Sequence, residues 1–270
     1  MTKHKTRKRG APDRRPPRQK DSPADLWIYG HHAVAAALAN PERRILRLAA
    51  TLDAAAKLES DAAVPREALK HIGAPARRSD IDALLGEGAV HQGVAVLTRP
   101  LAYALEGVVE QLAAKPDACV VVLDRVTDPH NTGAILRSAA AFGAGAVIAP
   151  DRHAPEETGA MAKAASGALD RVRYVKTVNL VRALEQLKAA GFWLVGLAAD
   201  TDAPLSSVDL SGRIALVLGA EGEGLRRLVR EHCDHMAVLP MSGEMESLNV
   251  SNAAAVALYE KARQSSREKS

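Results

Sequence analysis

Aromatic residues make up only 3% of this 270-residue chain: two Trp, two Phe and four Tyr. Binding single-stranded nucleic acid by stacking bases on rings needs more of them, so a stacking platform is disfavoured. Cysteine is equally scarce, with Cys119 and Cys233 alone. Two thiols exclude a disulfide framework and fit a reducing compartment. Cys119 opens the apolar run CVVVLD and reads as a small core residue. His232, Cys233 and His235 fall together in EHCDH, but that spacing matches no zinc pattern and no second ligand pair occurs elsewhere. No metal site is expected. No run approaches the ~20 apolar residues of a membrane span, and the basic start lacks the apolar region of a secretory signal. A cytoplasmic protein without a membrane anchor is the expectation.

What is present points to a folded body with a basic tail. Hydrophobic residues reach 47%, ample for a core in one large or two moderate domains. The net charge of +4 is unevenly spread. Residues 1–20, MTKHKTRKRGAPDRRPPRQK, hold nine Lys or Arg and one acid, so the remaining chain is slightly acidic. With no apolar stretch and repeated Gly and Pro, residues 1–24 read as a disordered tail. It serves either as a solvated solubility segment or as an arm that attracts phosphate in a salt-dependent way.

The body divides by pattern. Residues 26–98 read as a small α/β unit, in which LWIYG, RRILRLAAT and HQGVAVLTRP are strand-like and HHAVAAALAN, LDAAAKLES and DIDALLGEG are helical. Residues 99–116 read as a connecting helix ending at Pro116. From 117 to 264, strand-like runs (CVVVLD, GAVIAP, VRYVKT, FWLVGL, IALVL, MAVLP) alternate with helical ones. That alternation predicts a mostly parallel sheet covered by helices. In NLVRALEQLKAAG, Leu180, Leu184 and Leu187 share one helix face, and Gly191 stands where the helix stops.

Three segments carry polar groups and glycine where packing alone would ask for apolar side chains: DPHNTGAILR (128–137), LVLGAEGEG (216–224) and LPMSGEMESLNVSNA (239–253). Each follows a predicted strand, and ligands of open α/β sheets bind beyond the carboxyl ends of the strands. One composite site is therefore expected. LGAEGEG is not a phosphate loop. It has no lysine, and Glu221 and Glu223 would repel a phosphate. G-x-G-x-x-G is absent as well, so ATP and NAD(P) are poor candidates, and a neutral or cationic ligand held by main-chain groups fits better. Asn131 reads as a helix cap, and Gly133 as a point of close backbone approach. Arg137, about one and a half turns on, is expected to face the same crevice. Ser247, Asn249, Ser251 and Asn252 surround a strand-to-helix junction, where Ser and Asn cap helices routinely.

Together the three segments resemble the motifs of the SPOUT methyltransferases, in the SpoU/TrmH-like branch that methylates ribose 2′-oxygens of RNA. HQGVAV (91–96), VTDPHNTGAILRSA and GRIALVLGAEGEGLRRLVREHCD are similar to the bacterial enzymes of that branch acting on a guanosine in 23S rRNA. YGHHAVAAAL and the unit it opens resemble that subgroup's L30e-like RNA-binding domain. The resemblance implies a C-terminal parallel-sheet domain tied in a deep trefoil knot, a rare exception to the rule against threaded chains. It implies S-adenosylmethionine at the knot, with Leu218, Gly219, Leu239, Met241 and Leu248 at cofactor-contacting positions. Asn131, Arg137, Glu221, Ser247 and Asn249 match active-site positions. A homodimer, with the RNA site completed across its interface, is implied too.

Methyl transfer to a hydroxyl is an in-line displacement. The 2′-oxygen must be held about 3–3.5 Å from the methyl carbon, and its proton must leave. The only histidine in the three segments is His130. The resemblance gives the base role to Arg137 assisted by an RNA phosphate. A bidentate clamp fixing phosphate and hydroxyl is the alternative, because a neutral guanidinium is scarce. Asn131 and Asn249 would orient the hydroxyl, and Glu221 would anchor a loop or Arg137. Three other readings stay open: a tRNA ribose methyltransferase, a non-catalytic RNA-binding protein of the same fold, and a dinucleotide oxidoreductase. The acidic glycine loop speaks against the last.

Overall fold

Two sheets of opposite character account for the alternating runs. The computed structural model describes residues 25–86, 88–243 and 247–267, so the basic tail lies outside the described residues. In the first unit β1 (Leu26–Tyr29), β2 (Ile45–Ala50) and β3 (Val94–Thr98) form an antiparallel sheet in the order β1-β3-β2. The central strand reads VAVLT and is buried throughout, as expected of a β-branched strand with neighbours on both edges. Helix α1 (His31–Ala39) follows Gly30, whose φ of 86° favours glycine. Helix α2 (Leu52–Ser60) is capped by Thr51, whose hydroxyl accepts from the Ala54 amide at 3.3 Å. Helix α3 (Arg78–Leu85) completes this unit. The predicted connecting helix is shorter than expected. Only Leu105–Ala113 forms α4, since Pro100 lies in the extended approach to it.

The second sheet is six-stranded and parallel: β4 (Ala118–Asp124), β5 (Ala146–Pro150), β6 (Arg173–Thr177), β7 (Trp193–Leu197), β8 (Arg213–Gly219) and β9 (His235–Ala237), in the order β6-β5-β4-β8-β7-β9. The chain runs outward from β4 to β6, crosses to β7, and returns to insert β8 against β4. The order therefore reverses between β4 and β8, whose last residues, Asp124 and Gly219, are in register. That is a topological switch point, where such sheets open a crevice.

Both faces of the sheet are covered, which is why its strands are continuously apolar. Val121 and Leu123 pack with Ile135 and Leu136 of α5 (Pro129–Ala141) and with Ala254 and Leu258 of α9 (Val250–Arg267). Val120 and Val122 face the other way. They meet Leu112 of α4 and Leu180, Leu184 and Leu187 of α7 (Leu180–Ala189). Gly191, at φ 81°, follows the end of α7 as its position predicts. Helices α6 (Gly159–Ala165) and α8 (Arg227–His232) complete the unit.

One sequence expectation is corrected at α5. The cap is Asp128, not Asn131: its carboxylate accepts from the amides of His130 and Asn131 at 3.0 and 3.3 Å. Pro129 explains the earlier start, because its fixed φ and missing N–H suit the first helical position. The Asn131 side chain is thereby released for other partners. Gly133 does mark a close approach, but between helices. A Cβ there would lie 2.6 Å from the Met161 carbonyl and 2.7 Å from Ala164.

The units meet through a buried ionic cluster. The Arg43 side chain is fully buried and pairs with Asp170 at 2.8 Å and Glu157 at 2.9 Å, both beyond α4 in the chain. The same guanidinium donates to the Arg99 carbonyl, and Glu157 accepts from the Leu101 amide at 3.2 Å. Burial pushes the Glu157 carboxyl above its ordinary value despite the cation. Gly159 adds a backbone contact, since a Cβ there would strike Tyr29 at 2.5 Å.

Candidate active site

Loops from the carboxyl ends of β7, β8 and β9 enclose a cleft of about 290 Å³. Leu197 and Ala198 form one wall, Leu218–Glu221 the floor, and Leu239, Met241, Ser247 and Leu248 the far side. All five predicted cofactor positions line it. Met241 and Leu248, each 38% exposed, give the far side an apolar, solvent-accessible surface. The run MAVLP supplies only a three-residue strand, so Leu239 falls in the loop and reaches the cleft.

Gly219 has a steric reason of its own. A Cβ there would lie 2.1 Å from the Gly224 carbonyl carbon and 2.5 Å from the Leu225 nitrogen, because the loop doubles back on itself. The Gly224 amide donates to the Ala220 carbonyl at 2.9 Å and closes that turn. Its far end is tied down by Asp124, fully buried at the end of β4, which accepts from the Arg226 amide at 2.9 Å and its guanidinium at 2.7 Å.

Three of the predicted active-site residues meet at one oxygen. Glu221 Oε1 accepts from Asn249 Nδ2 at 2.8 Å, Asn131 Nδ2 at 3.3 Å and the Val250 amide at 3.2 Å. Asn249 Nδ2 donates in addition to Asn131 Oδ1 at 3.0 Å. Asn249 also begins α9, where its Oδ1 accepts from the Ser251 amide at 2.9 Å. The carboxylate thus sits at the amino end of α9, the favourable end of the helix dipole.

Arg137 is not brought to this cluster. Six residues beyond Asn131 on one helix is about one and two-thirds turns, which places its side chain roughly 120° away around the axis. It is exposed and does not line the cleft. The expectation that it shares a crevice with Asn131 is not met within one chain. The residues of EHCDH also diverge: His232 Nδ1 donates to the Leu228 carbonyl, Cys233 points at the Val229 carbonyl, and His235 stacks on Trp193.

Sequence reading missed Asp124, Arg226 and the ion pair of Arg125 with Glu223 at 3.2 Å. The cue for Asp124 was an acid closing an otherwise apolar strand, a placement that demands a partner.

Residues 118–259 match the SpoU rRNA Methylase family, and residues 27–104 match the family described as RNA 2'-O ribose methyltransferase substrate binding. The 23S rRNA (guanosine-2'-O-)-methyltransferase RlmB of Xanthomonas campestris is 43% identical over 249 residues, 90% of this chain and 98% of its own. Its namesake in Pseudomonas putida is 41% identical over 240 residues, 88% and 96% of the two chains. Among solved structures, the SpoU methyltransferase AviRb from Streptomyces viridochromogenes, in complex with the cofactor AdoMet, superposes with a TM-score of 0.72. It is 27% identical, over 89% of this chain and 90% of its own. The TrmH/SpoU tRNA modifying enzyme of A. aeolicus reaches 0.51 at 28% identity, over 61% of this chain and 86% of its own. This chain belongs to the SpoU rRNA methylase family.

Proposed function

We propose that this chain transfers a methyl group from S-adenosylmethionine to the ribose 2′-hydroxyl of a guanosine in 23S rRNA. The observation that carries the reading is the tie at Glu221 Oε1, which draws all three polar segments to the rim of one cleft. The cleft suits the cofactor chemically. Its single charged side chain among the described residues is a carboxylate, Glu221, which favours a sulfonium and opposes a phosphate. Apolar walls and main-chain groups around Gly219 suit an adenosine. S-adenosylmethionine supplies a methyl group on positively charged sulfur, so its departure needs no acid.

The protein's own task is positioning. Asn131 is held by Glu221 and Asn249, yet has one further N–H with which to orient a ribose hydroxyl. Ser247 lies on the same rim. Arg137 fixes phosphate and hydroxyl as a forked clamp or takes the proton. Because it is exposed and does not line its own cleft, the reading assigns it to the cleft of a second copy in a homodimer. Exposed Val256 (47%) and Tyr259 (55%) on α9 give such a dimer an apolar surface to cover. Residues 26–98 serve as an L30e-like RNA-binding unit, 99–116 as the linker, and 117–264 as the catalytic unit. The strand order, with β8 returning between β4 and β7, is compatible with a trefoil knot in that unit. A cytoplasmic location goes with the rRNA reading, and no helix among the described residues is long and apolar enough to cross a membrane.

A tRNA substrate is the second reading. The tRNA-modifying relative covers 61% of this chain, whereas the 23S rRNA enzymes align with both units. Transfer of labelled methyl groups to 23S rRNA fragments and to bulk tRNA separates the two. Methylation of tRNA alone would overturn the rRNA assignment, and no cofactor binding by calorimetry would overturn the enzyme.

A further inference from the structure

Arg125 directly follows β4, and its partner Glu223 lies between two residues that line the cleft, Gly222 and Gly224. Four non-glycine residues among those described have positive φ: Gln92, Arg125, His153 and Ser166. Ser166 ends helix α6, a customary place for such a backbone. Arg125, at φ 62°, follows β4 directly, and a long side chain is disfavoured there. Glycine would adopt this conformation without strain. From this position the guanidinium pairs with Glu223 of the 219–225 loop at 3.2 Å. Both partners are open to solvent, with 46% and 74% of their side chains exposed. Exposed ion pairs contribute too little to justify a strained backbone. The loop also has a better anchor one residue away, in the pair of fully buried Asp124 with Arg226. As a strut, Arg125 is redundant.

Retained strain at a site's edge points toward function. We propose that Arg125 is a phosphate contact for the RNA substrate, and that Glu223 holds the guanidinium in place until the RNA arrives. This rests on the reading of the cleft as an RNA methyl-transfer site. A phosphodiester offers the fork of Arg125 a bidentate partner, and the exchange releases Glu223 to solvent. Glu223 lies two residues from Glu221, so the phosphate so held flanks the nucleotide presented to Asn131.

The two roles predict opposite signs for the two partners. Methyl transfer is measured on a transcribed 23S rRNA fragment over a range of KCl concentrations, with R125G and E223Q beside the wild type. R125G is expected to raise KM for RNA severalfold and to reduce the slope of log KM against log salt by about 1. Its S-adenosylmethionine affinity should be unchanged, and its thermal midpoint equal to or above that of the wild type. E223Q should lower KM, having removed a competitor. A wild-type KM and salt slope in R125G would overturn the proposal. So would a parallel loss of RNA and cofactor affinity in both variants, the signature of a strut. Failure of the wild type to methylate any RNA would instead bring down the functional reading on which the proposal stands.

Discussion

The Glu221 carboxylate and the Asn249 amide, 28 residues apart in the chain, are joined at 2.8 Å, and on that contact hang Asn131 and the start of α9. Replacing Glu221 by Ala leaves Asn131 Nδ2 and the Val250 amide without their acceptor and Asn249 Nδ2 with Asn131 Oδ1 alone. Hydrogen bonds to a charged group contribute about 1.5–3 kcal/mol, and exposure puts this cluster at the lower end. Glu221→Ala should therefore cost about 1–2 kcal/mol in urea denaturation and about 10²-fold in kcat through misplaced Asn131. Glu221→Gln keeps an acceptor oxygen and should fall between. Equal kcat in both variants and the wild type would remove the cluster from the mechanism.

Gly219 and Gly133 predict different failures from the same small change. Gly219→Ala puts a methyl into the backbone of the returning loop and should abolish cofactor binding by calorimetry while the protein stays folded. Gly133→Ala presses α5 from α6 and should cost about 1–3 kcal/mol of stability with cofactor affinity kept in the folded fraction. Reversed outcomes would mean that the loop yields and the helix contact does not.

Arg137→Ala should abolish methyl transfer with cofactor affinity within a few-fold of the wild type. Its placement allows a sharper test. In mixed dimers of Arg137→Ala with the cofactor-deficient Gly219→Ala, activity returns if Arg137 serves the partner's cleft. If it serves its own, every site lacks one component and the mixture stays inactive.

Burial pushes the thiols of Cys119 and Cys233 up to about 12. Neither should react with a thiol reagent at pH 8 in the native protein, and both should react in guanidinium. The folded state holds these protons more tightly than the unfolded chain, whose thiols ionise near ~8.5. Their contribution to stability is complete below that pH and declines as pH rises toward 12. Urea midpoints measured from pH 8 to 10 should fall accordingly. Rapid native labelling of Cys233 would mean that the segment around Gly196 opens readily.

The elements of the large sheet were legible in the sequence because a parallel strand buried on both faces leaves an unbroken apolar run, as in CVVVLD and IALVL. The cleft was legible because glycine, Ser and Asn stood where packing wanted Leu or Val. Strand order was not, since nothing local says that β8 inserts beside β4. The cap of α5 was misplaced because Asn131 and Asp128 are both good cap residues, and only Pro129, suited to the first helical position, selects the earlier one. Arg137 was misdirected for a geometric reason: spacing along a helix fixes angle as well as distance, and six residues is not a whole number of turns. The ties of Asp124 to Arg226 and of Arg125 to Glu223 span about a hundred residues, beyond any local pattern.

The buried Arg43 cluster bears on modularity. A protein whose RNA-binding and catalytic units were merely tethered would allow either to be exchanged for a homologous part. Here a graft that brings a new first unit without an arginine at this place strands Glu157 and Asp170 as buried anions, a loss of about 3–5 kcal/mol for a broken buried pair. Exchange of the first unit therefore succeeds only where the graft keeps an arginine at this place.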